Sequence, residues 1–433
     1  MHLYNLISFC GIFVLLGLAW LLSNRKRLLN VRLIGFGLLI QFGIAWFIFQ
    51  VPAGKAVFHG INDLVVRILD SAGAGAEFVF GPLAIPYGQE GSLGFMLAFQ
   101  AFPTIIFFSA LIAILYYLGV MSGIIRCFAY VFTRFMKISG AESLVAASNI
   151  FVGIESALTV KPYLVRMTRS ELCTVLTAGM ATVASNVLAL YVFSLQEIFP
   201  TIAGHLVSAS LLSAPAALIM SKMVTPEQDT PETLGSHVKP FHERDNNLFE
   251  AIINGANSGV RMIVGISALL IAVLGLVALI DLGLEAIGDK VNPMMGTEGT
   301  WSLKGLCATC FYPLVLVMGI PPEDARTVAS IVGERLIVTE VVAYQDLARV
   351  IREQTLVHPR SAVITTYALC GFTHLASMAI FVGGVCALVP EKTRQISQVA
   401  VRALIAATLA CLMTGCIAGS FVSNHPSILL GNP

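Results

Sequence analysis

Charged residues are scarce in this chain. Asp, Glu, Lys and Arg make up 12% of its 433 residues and hydrophobic residues make up 57%, whereas an ordinary soluble domain carries roughly 25% charged residues. The mean hydropathy is +0.83. This composition excludes a soluble globular domain as the body of the protein. We expect an all-α polytopic membrane protein with about eight transmembrane helices, at roughly 20 residues per span.

Other features that the sequence lacks exclude further classes of function. The net charge is +1, so the chain lacks the concentrated basic surface that a nucleic-acid partner requires. Its nine cysteines are scattered, and the close pair Cys307 and Cys310 has no second Cys or His pair to complete a zinc site. No Ser/His/Asp order and no phosphate-binding loop stands out. We therefore expect no enzyme, although an intramembrane enzyme is kept as an alternative class.

Two short segments combine apolar residues with Gly and carboxylates. The segment 149–163 carries Glu155 close to Gly153, and the segment 330–341 carries Glu340 after Gly333. A carboxylate on a lipid-facing helix costs roughly 2.5–3.5 kcal/mol or more, so both segments should be interrupted and should face a protein cavity. Two such segments in corresponding positions of two halves indicate the binding site of a transporter.

The distribution of Lys and Arg predicts the topology. The basic cluster 25–27 places the first loop in the cytoplasm and the N-terminus outside, with the first apolar run retained as a span. Re-entrant hairpins are predicted at 141–168, entered from the cytoplasm, and at 321–351, entered from outside. Surface helices are predicted at 54–75, 122–137 and 301–318. The predicted spans are 3–22, 31–51, 93–121, 172–199, 204–220, 258–284, 362–388 and 399–422.

A short sequence pattern that occurs in two spans indicates an inverted repeat. Gly179-xxxx-Ala184-Ser185 in the fourth span resembles Gly371-xxxx-Ala376-Ser377 in the seventh, and each follows a hairpin with a Val-Gly tip. The chain therefore divides into three N-terminal spans (1–121), a first repeat (122–223), a cytoplasmic loop (224–257), the sixth span (258–300) and a second repeat (301–433).

The first hairpin and the fourth span offer a candidate ion site. Asn149, the carbonyl of Val152, Thr182 and the carbonyl of Val183 would form an uncharged cage of oxygen atoms, because a broken helix leaves backbone carbonyls without helical partners. Such a cage suits a hard monovalent cation. The alternative is that Asn149 and Thr182 only hydrogen-bond the hairpin turn.

The two deepest carboxylates offer a candidate solute site. Glu155 and Glu340 could accept hydrogen bonds from the hydroxyl groups of a polar, uncharged solute. The alternatives are a protonated carboxyl group paired with backbone, and proton coupling through one of the two residues. His374 and Ser377 lie one helical turn apart and can face the same cavity, although a lone His on an apolar helix can also be a packing residue.

With these residues in place, the chain resembles the concentrative nucleoside transporter family. The resemblance implies a homotrimer in which an elevator-like transport domain, built from the two hairpins and spans four, five, seven and eight, moves against a scaffold that includes spans three and six. It further implies nucleoside uptake driven by sodium or, in some bacterial members, by protons. The matching stretches are 24–26 with 31–32, 147–153, 161–164, 179–191, 210–218, 333–334, 339–344 and 367–372.

The resemblance also exposes departures in the solute site. The first hairpin of the family reads Gly-Gln-Thr/Ser-Glu, whereas here Gly153 is followed by Ile154, Glu155 and Ser156. We align Glu155 with the family Glu, so that Ile154 replaces the polar pair; an ungapped alignment would place Ser156 there instead. In either alignment, recognition of the base is rebuilt and loses an amide.

The second hairpin and the seventh span differ as well. Glu340 matches the ribose-binding Glu of the family, but Thr339 replaces the Asn before it. Phe372 and Ser377 are kept, whereas His374 stands where the family has a sugar-contacting Asn. The resemblance therefore supports a nucleoside-like site and leaves the identity of the solute open.

The sequence thus predicts a sodium-coupled importer of nucleosides or nucleoside-like solutes in a bacterial cytoplasmic membrane. A proton-coupled member, with Glu155 or His374 carrying the proton, and the same fold adapted to another polar solute are the alternatives. A purely structural or receptor protein is disfavoured, because buried carboxylates at broken helices are expensive without a ligand. The sodium residues are Asn149, Val152, Thr182 and Val183, and the solute residues are Gly153, Ile154, Glu155, Ser156, Val187, Thr339, Glu340, Phe372, His374 and Ser377.

Overall fold

A computed structural model describes residues 3–86, 90–241, 245–295 and 301–422. Over these ranges the chain is helical, and the only β-type pairing is an isolated bridge between Ser139 and Leu234. The N-terminal part contains α1 (Leu3–Leu21), α2 (Val31–Gln50), α3 (Pro52–Phe80), α4 (Phe102–Tyr117) and α5 (Val120–Met136). The fold class expected from the composition is confirmed.

The first repeat begins with a hairpin of unequal arms, hairpin 1. Its first arm is α6 (Gly140–Asn149), and its second arm is a 3₁₀ helix (Ile154–Arg166). The fourth span follows in two pieces, α7 (Arg169–Ala181) and α8 (Ser185–Leu195), and α9 (Ile202–Val224) completes the unit. Thr168 and Glu171 form a capping box that starts α7.

The second repeat has the same order of elements. The long helix α10 (Leu248–Met295) and α11 (Leu303–Val317) precede hairpin 2, whose arms are α12 (Pro322–Arg335) and α13 (Glu340–Arg352). The seventh span is divided into α14 (Pro359–Leu369) and α15 (Leu375–Leu388), and α16 (Thr393–Phe421) follows.

Seven helical segments of the described chain are long and apolar enough to cross a membrane. They correspond to the predicted spans one to six and eight. The predicted seventh span does not form one helix, because the backbone leaves the helical conformation at Cys370, with φ −72° and ψ 74°. The predicted fourth span is interrupted too, because Thr182 is extended at φ −124° and ψ 163°. The sequence did not predict either interruption.

Several boundaries also differ from the prediction. The predicted surface helix at 54–75 is longer, because Pro52 starts α3 and Gly81, with φ 55°, ends it. The sixth span begins at Leu248 instead of 258, so the polar loop is shorter than expected. This loop packs on hairpin 1, where Gly140 N–H donates to Thr233 O at 2.8 Å and Phe241 N–H donates to Thr159 O at 2.9 Å.

The helices differ greatly in how much of their surface the rest of the chain covers. In the most apolar window of α7–α8, 94% of the residues are buried, whereas in α10 the share is 6%. Two glycines of α10, Gly255 and Gly259, lie against the backbone of α4, because an added Cβ would come within 2.8 Å of Ala110 Cα and 2.7 Å of Ile106 Cα. This small-xxx-small spacing allows α4 and α10 to pack closely.

Candidate functional site

The hairpin tips are joined to the interrupted spans by two equivalent hydrogen bonds. In the first repeat, the N–H of Ser185, the first residue of α8, donates to Phe151 O at 2.9 Å. In the second repeat, the N–H of Leu375, the first residue of α15, donates to Leu336 O at 3.2 Å. Each bond satisfies one of the backbone N–H groups that a helix start leaves unpaired. The two repeats therefore share a local geometry as well as an order of elements.

The residues that match between the fourth and seventh spans in sequence do not occupy equivalent positions in the structure. Ser185 is the first residue of α8, whereas Ser377 is the third residue of α15. Gly179 lies within α7 against the ring of Phe381, whereas Gly371 lies beyond the end of α14. The residue alignment of the repeats is thus displaced by two positions, because the two spans break at different distances from their glycines.

The predicted sodium residues lie where α6 and α7 end. Asn149 is the last residue of α6 and is fully buried, and its Nδ2 donates to Val145 O at 3.1 Å. Its Oδ1 is buried and accepts no hydrogen bond from the described part of the chain. A buried acceptor left unpaired costs about 1–3 kcal/mol, and a cation would remove this cost.

The remaining sodium residues fit the same interpretation. Thr182 Oγ1 donates to Ala178 O at 2.9 Å, which leaves its oxygen lone pairs available. Val152 and Val183 are buried residues of the hairpin tip and of the interruption, and they can contribute carbonyl oxygens only. All four predicted residues offer uncharged oxygen atoms, of the kind that replaces the hydration shell of a monovalent cation.

Glu340, one of the predicted solute residues, is buried among polar side chains. It is the first residue of α13 and is 4% exposed. Tyr191 on α8 donates its hydroxyl to Oε1 at 2.8 Å. His374 Nε2 lies 2.9 Å from Oε2, within ion-pair and hydrogen-bond distance. Each carboxylate oxygen therefore has one close neighbour that can donate, and a second lone pair that can accept a further hydrogen bond.

His374 caps α15. Its Nδ1 accepts a hydrogen bond from the N–H of Ser377 at 3.2 Å, and its Nε2 lies 2.6 Å from Ser377 Oγ. Since Nδ1 acts as an acceptor, the proton of the neutral ring is on Nε2, the nitrogen that faces Glu340. The predicted neighbourhood of His374 and Ser377 is present, and the ring also has a capping role that the sequence did not reveal.

Gly153 brings the tip of hairpin 1 against both interrupted spans. An added Cβ would lie 3.3 Å from Ala184 Cβ and 3.8 Å from Phe372 Cε2. Ser156 is buried in the second arm, and its N–H donates to Gly153 O at 3.0 Å. The side chains of Ile154 and Glu155 lie outside the part of the chain that the structure describes. Their predicted contacts with the solute remain predictions.

Two tyrosines lie beside Glu340 that were not singled out from the sequence. Tyr191 and Tyr344 stack with ring centroids 4.3 Å apart, and Tyr344 donates its hydroxyl to Thr366 O at 2.9 Å. Val187 lies one turn before Tyr191 and is buried, so helical spacing alone places Tyr191 on the face of Val187. Thr339 precedes Glu340, and its Oγ1 is buried without a partner among the described groups.

A cavity of about 330 Å³ reaches the tip of hairpin 1. It lies between the tip and the paired helices α4 and α10, and Asn186 of α8 lines it while donating to Ser109 Oγ of α4 at 3.0 Å. Its volume is at the lower end of the range of about 300–1,000 Å³ typical of ligand pockets. Glu340 and His374 do not line it, so the cavity gives access to the hairpin 1 side of the site. The lining residues at the tip are Phe151, Val152 and Gly153.

Two hairpins, two interrupted spans and buried polar groups at their junction define a membrane transporter built from two structural repeats. Comparison with known proteins specifies the family. Models described as "Na+ dependent nucleoside transporter" match the chain at residues 10–83 (N-terminus) and 205–419 (C-terminus), and a "Nucleoside recognition" model matches residues 98–197.

Relatives that match nearly the whole of this chain agree with the family models. An "Uncharacterized transporter" of Haemophilus influenzae is 34% identical over 96% of this chain and 98% of its own. "Solute carrier family 28 member 3" of Mus musculus is 37% identical over 96% of this chain and 58% of its own, so the chain spans less than two thirds of that relative. The structure of CNTnw in an inward-facing substrate-bound state superimposes with a TM-score of 0.89 and 31% identity, covering 98% of this chain and 100% of that one.

The chain belongs to the sodium-dependent, or concentrative, nucleoside transporter family. Members of this family are transporters and not enzymes, and the predicted resemblance is thereby confirmed. Sodium dependence and nucleoside transport are general properties of the family. The long apolar helices of the chain agree with a position in a membrane.

Proposed function

We propose that this protein imports nucleosides, or closely similar ribosylated solutes, by sodium symport. The observation that carries the proposal is a pair of buried polar groups beside the hairpin tips: Asn149 Oδ1, which has no donor among the described residues, at the end of the first arm of hairpin 1, and the Glu340 carboxylate at the start of the second arm of hairpin 2. A relative named "Sodium/nucleoside cotransporter 1" from Rattus norvegicus is 34% identical over 96% of this chain and 63% of its own, which supports both halves of the proposal.

In this proposal, Glu340 accepts hydrogen bonds from the sugar hydroxyls. Oε1 accepts a hydrogen bond from Tyr191, and Oε2 lies 2.9 Å from Nε2 of His374. A sugar hydroxyl donating to Oε2 would occupy its second lone pair. The Oγ1 of Thr339, which has no partner among the described groups, offers a second polar contact, and Phe372 and Val187 supply apolar surface.

Recognition of the base would rest on hairpin 1. Gly153, Ile154, Glu155 and Ser156 are the proposed contacts, and Ile154 replaces a polar pair with apolar surface. Such a site gains little from the hydrogen-bonding edge of a base and more from its faces. We therefore expect weaker discrimination between bases than between ribosides and deoxyribosides.

The proposed mechanism is an elevator. Hairpins 1 and 2 with α7–α9 and α14–α16 would move as the transport domain, whereas α4 and α10 would belong to the scaffold of a homotrimer in a bacterial cytoplasmic membrane. The close packing of Gly255 and Gly259 on α4 supports one rigid scaffold pair. The cavity between this pair and hairpin 1 supports a surface along which the two parts separate.

The sodium half is tested by replacing Asn149. In proteoliposomes with an inward sodium gradient, the Asn149→Ala variant should need about tenfold more sodium for half-maximal uptake, because the loss of one ligand oxygen removes a charge-assisted contact. Without sodium, the variant should lose little heat stability, because removal of the unpaired Oδ1 offsets the loss of the Nδ2 hydrogen bond to Val145 O.

Matched measurements decide the outcome. Thermal stability is followed with purine and pyrimidine nucleosides, deoxynucleosides and free bases, in sodium or in choline, since a ligand that binds only the folded state stabilises it. An unchanged sodium requirement in Asn149→Ala would contradict the ion site. If no riboside changed the melting temperature, this result would contradict the assignment of a nucleoside as the solute.

Proton coupling is the second candidate. The 2.9 Å approach of His374 Nε2 to Glu340 Oε2 favours it, because protonation of the ring would turn this contact into an ion pair inside the solute site. Uptake that follows an inward proton gradient in sodium-free medium, and that ceases in a His374→Asn variant, would replace sodium with protons as the coupling ion. Uptake that ignores the proton gradient would reject this candidate.

A further inference from the structure

The loop between α1 and α2 and the amphipathic helix α5 form one strongly basic surface. The loop and the first turn of α2 carry the basic cluster 25–27 and Arg32. Helix α5 and its C-cap carry Arg126, Arg134 and Lys137. All of these side chains are exposed. We call these residues the basic surface.

Aromatic contacts join the two halves of the basic surface. The guanidinium of Arg32 lies 5.5 Å from the ring centre of Phe36, which is one turn further along α2. The Phe36 ring contacts Phe135 of α5, with the ring centroids 6.2 Å apart, and Phe135 directly follows Arg134. The cations of the loop and of α5 therefore lie side by side and share one patch of aromatic support.

The basic surface has no counter-charge from the chain itself. The sequence has no Asp or Glu before Asp63 and none between Glu90 and Glu142. Within the part of the chain that the structure describes, no carboxylate lies within ion-pair distance of any side chain of the basic surface. By contrast, Arg166 Nη1 lies 2.6 Å from Glu232 Oε1. Like charges at one surface repel each other, so an external anion would stabilise this surface.

Exposed apolar side chains lie among the cations. Leu28 and Val31 are exposed beside Arg32, and Val120 and Phe135 are exposed on α5, whose opposite face is buried. A helix with basic and large apolar residues on its exposed side is typical of a helix in the interface of a membrane. A soluble anionic partner would leave the apolar side chains in water, whereas the headgroup region of a bilayer accommodates both kinds of side chain. The chemistry of the surface therefore fits an anionic lipid.

Helix α5 connects the basic surface to hairpin 1. The ring of Phe128 on α5 lies 6.2 Å from the ring of Phe151, measured between centroids. Phe151 is the tip residue whose carbonyl accepts the hydrogen bond from the N–H of Ser185. An anion that holds α5 in place would thus act on a helix in direct contact with the tip of hairpin 1.

We propose that the basic surface binds the anionic headgroups of phospholipids in the membrane leaflet that it faces, and that the bound headgroups hold α5 against hairpin 1. Clusters of Lys and Arg beside the end of a transmembrane helix attract anionic lipids, and each cation near the membrane surface adds to the attraction. This role is independent of the solute and of the coupling ion.

Binding of phosphatidylglycerol to the full chain tests the proposal. In a nonionic detergent, phosphatidylglycerol should raise the melting temperature, because a ligand that binds only the folded state stabilises it. Phosphatidylcholine with the same acyl chains should not raise it. The triple variant Arg126→Gln, Arg134→Gln, Lys137→Gln should need about a hundredfold more phosphatidylglycerol for the same rise. Arg126→Lys combined with Arg134→Lys should keep the response, because an ammonium group also binds phosphate.

The matched control removes the same number of exposed charges elsewhere. Lys55→Gln, Arg67→Gln, Lys290→Gln changes side chains on α3 and α10, and this variant should respond to phosphatidylglycerol like the original chain. Because all the replaced side chains are exposed, both triple variants should fold.

Three results would overturn the proposal. The first is an undiminished response to phosphatidylglycerol in the triple variant of α5. The second is a response that high salt does not weaken, since attraction between exposed charges is screened by salt. The third is a rise in melting temperature with inorganic phosphate or a poly-glutamate peptide but not with phosphatidylglycerol, which would assign the basic surface to a soluble anion.

Discussion

Hairpins 1 and 2 occupy equivalent places in the two repeats but are built and anchored differently. Hairpin 1 pairs a ten-residue α-helix with a 13-residue 3₁₀ arm that contains Pro162. Long 3₁₀ runs are uncommon and often mark hinges. Hairpin 2 consists of two α-helices of 14 and 13 residues. The comparison suggests that hairpin 2 holds its site residues in a fixed geometry, whereas hairpin 1 is the arm that adapts.

The anchors differ in the same way. Hairpin 1 is bound by backbone hydrogen bonds to the polar loop, through Thr233 and Phe241. Hairpin 2 is bound to α11 by Lys304, whose Nζ contacts Glu334 on one arm and Asp346 on the other. A single lysine therefore ties both arms of hairpin 2 to the preceding helix. We therefore interpret hairpin 1 as the more flexible hairpin and hairpin 2 as the more rigid one.

The largest expected effect comes from the carboxylate that hairpin 2 holds in place. Glu340→Gln should lower uptake about a hundredfold, because a hydrogen bond to a charged group contributes about 1.5–3 kcal/mol and the amide cannot accept through its nitrogen. Solute-dependent stabilisation should disappear in a thermal-shift measurement. The control is Glu323→Gln on the same hairpin, whose side chain is 58% exposed. Uptake near the original level in Glu340→Gln would remove Glu340 from the solute site.

Gly153 at the tip of hairpin 1 and Gly333, which lies inside α12 and not at the predicted tip of hairpin 2, provide a pair with a smaller effect. A Cβ on Gly333 would lie 2.9 Å from the backbone of Cys307, whereas a Cβ on Gly153 would lie 3.3 Å from a side-chain methyl. We expect Gly333→Ala to lower the melting temperature, because α11 must move away from hairpin 2. Gly153→Ala should keep stability and weaken solute binding several-fold. The reverse order of melting temperatures would contradict the idea that hairpin 2 is the rigid arm.

The smallest effect is expected for the lysine anchor. The Lys304 side chain is 34% exposed, and Glu334 and Asp346 are 14% and 13% exposed. Lys304→Met should therefore lower the free energy of unfolding by only about 1 kcal/mol after screening by solvent. The melting temperature should fall less at high salt than at low salt. A drop that does not depend on salt would mean that packing, and not charge, ties hairpin 2 to α11.

Much of the fold could be predicted because hydrophobic length and the order of basic residues are local signals. The hairpins at 141–168 and 321–351 are present, and so are the helices on either side of them. The interruptions of the fourth and seventh spans were not predicted, because Thr182 and Cys370 carry no strong breaking tendency. At each interruption, a carbonyl oxygen of a hairpin tip accepts a hydrogen bond from the first N–H of the following half-span, a long-range contact that local sequence does not reveal.

The residues of the candidate site also divide into those with a local signal in the sequence and those whose partners are set by packing. Asn149, Glu340 and His374 could be singled out because polar groups in apolar runs are costly. Tyr191 and Arg335 could not, since their importance depends on the groups they contact, the carboxylate of Glu340 and the carbonyl of Ala368. A tyrosine on an apolar helix and an arginine at the end of a hairpin arm are ordinary in sequence, and only the packing of α13, α14 and α16 gives them their partners.

Cys411 of α16 lies between the C-terminal ends of α7 and α14, and this position makes it a spectroscopic probe of both. Its S–H group lies within hydrogen-bond reach of Ala181 O and Cys370 O, and the S–H stretch falls in an infrared window that is otherwise nearly empty in proteins. A difference spectrum against Cys411→Ser would isolate this one vibration among nine cysteines. Its frequency would then report the charge at both interruptions at once, without any label, as ions and solute bind.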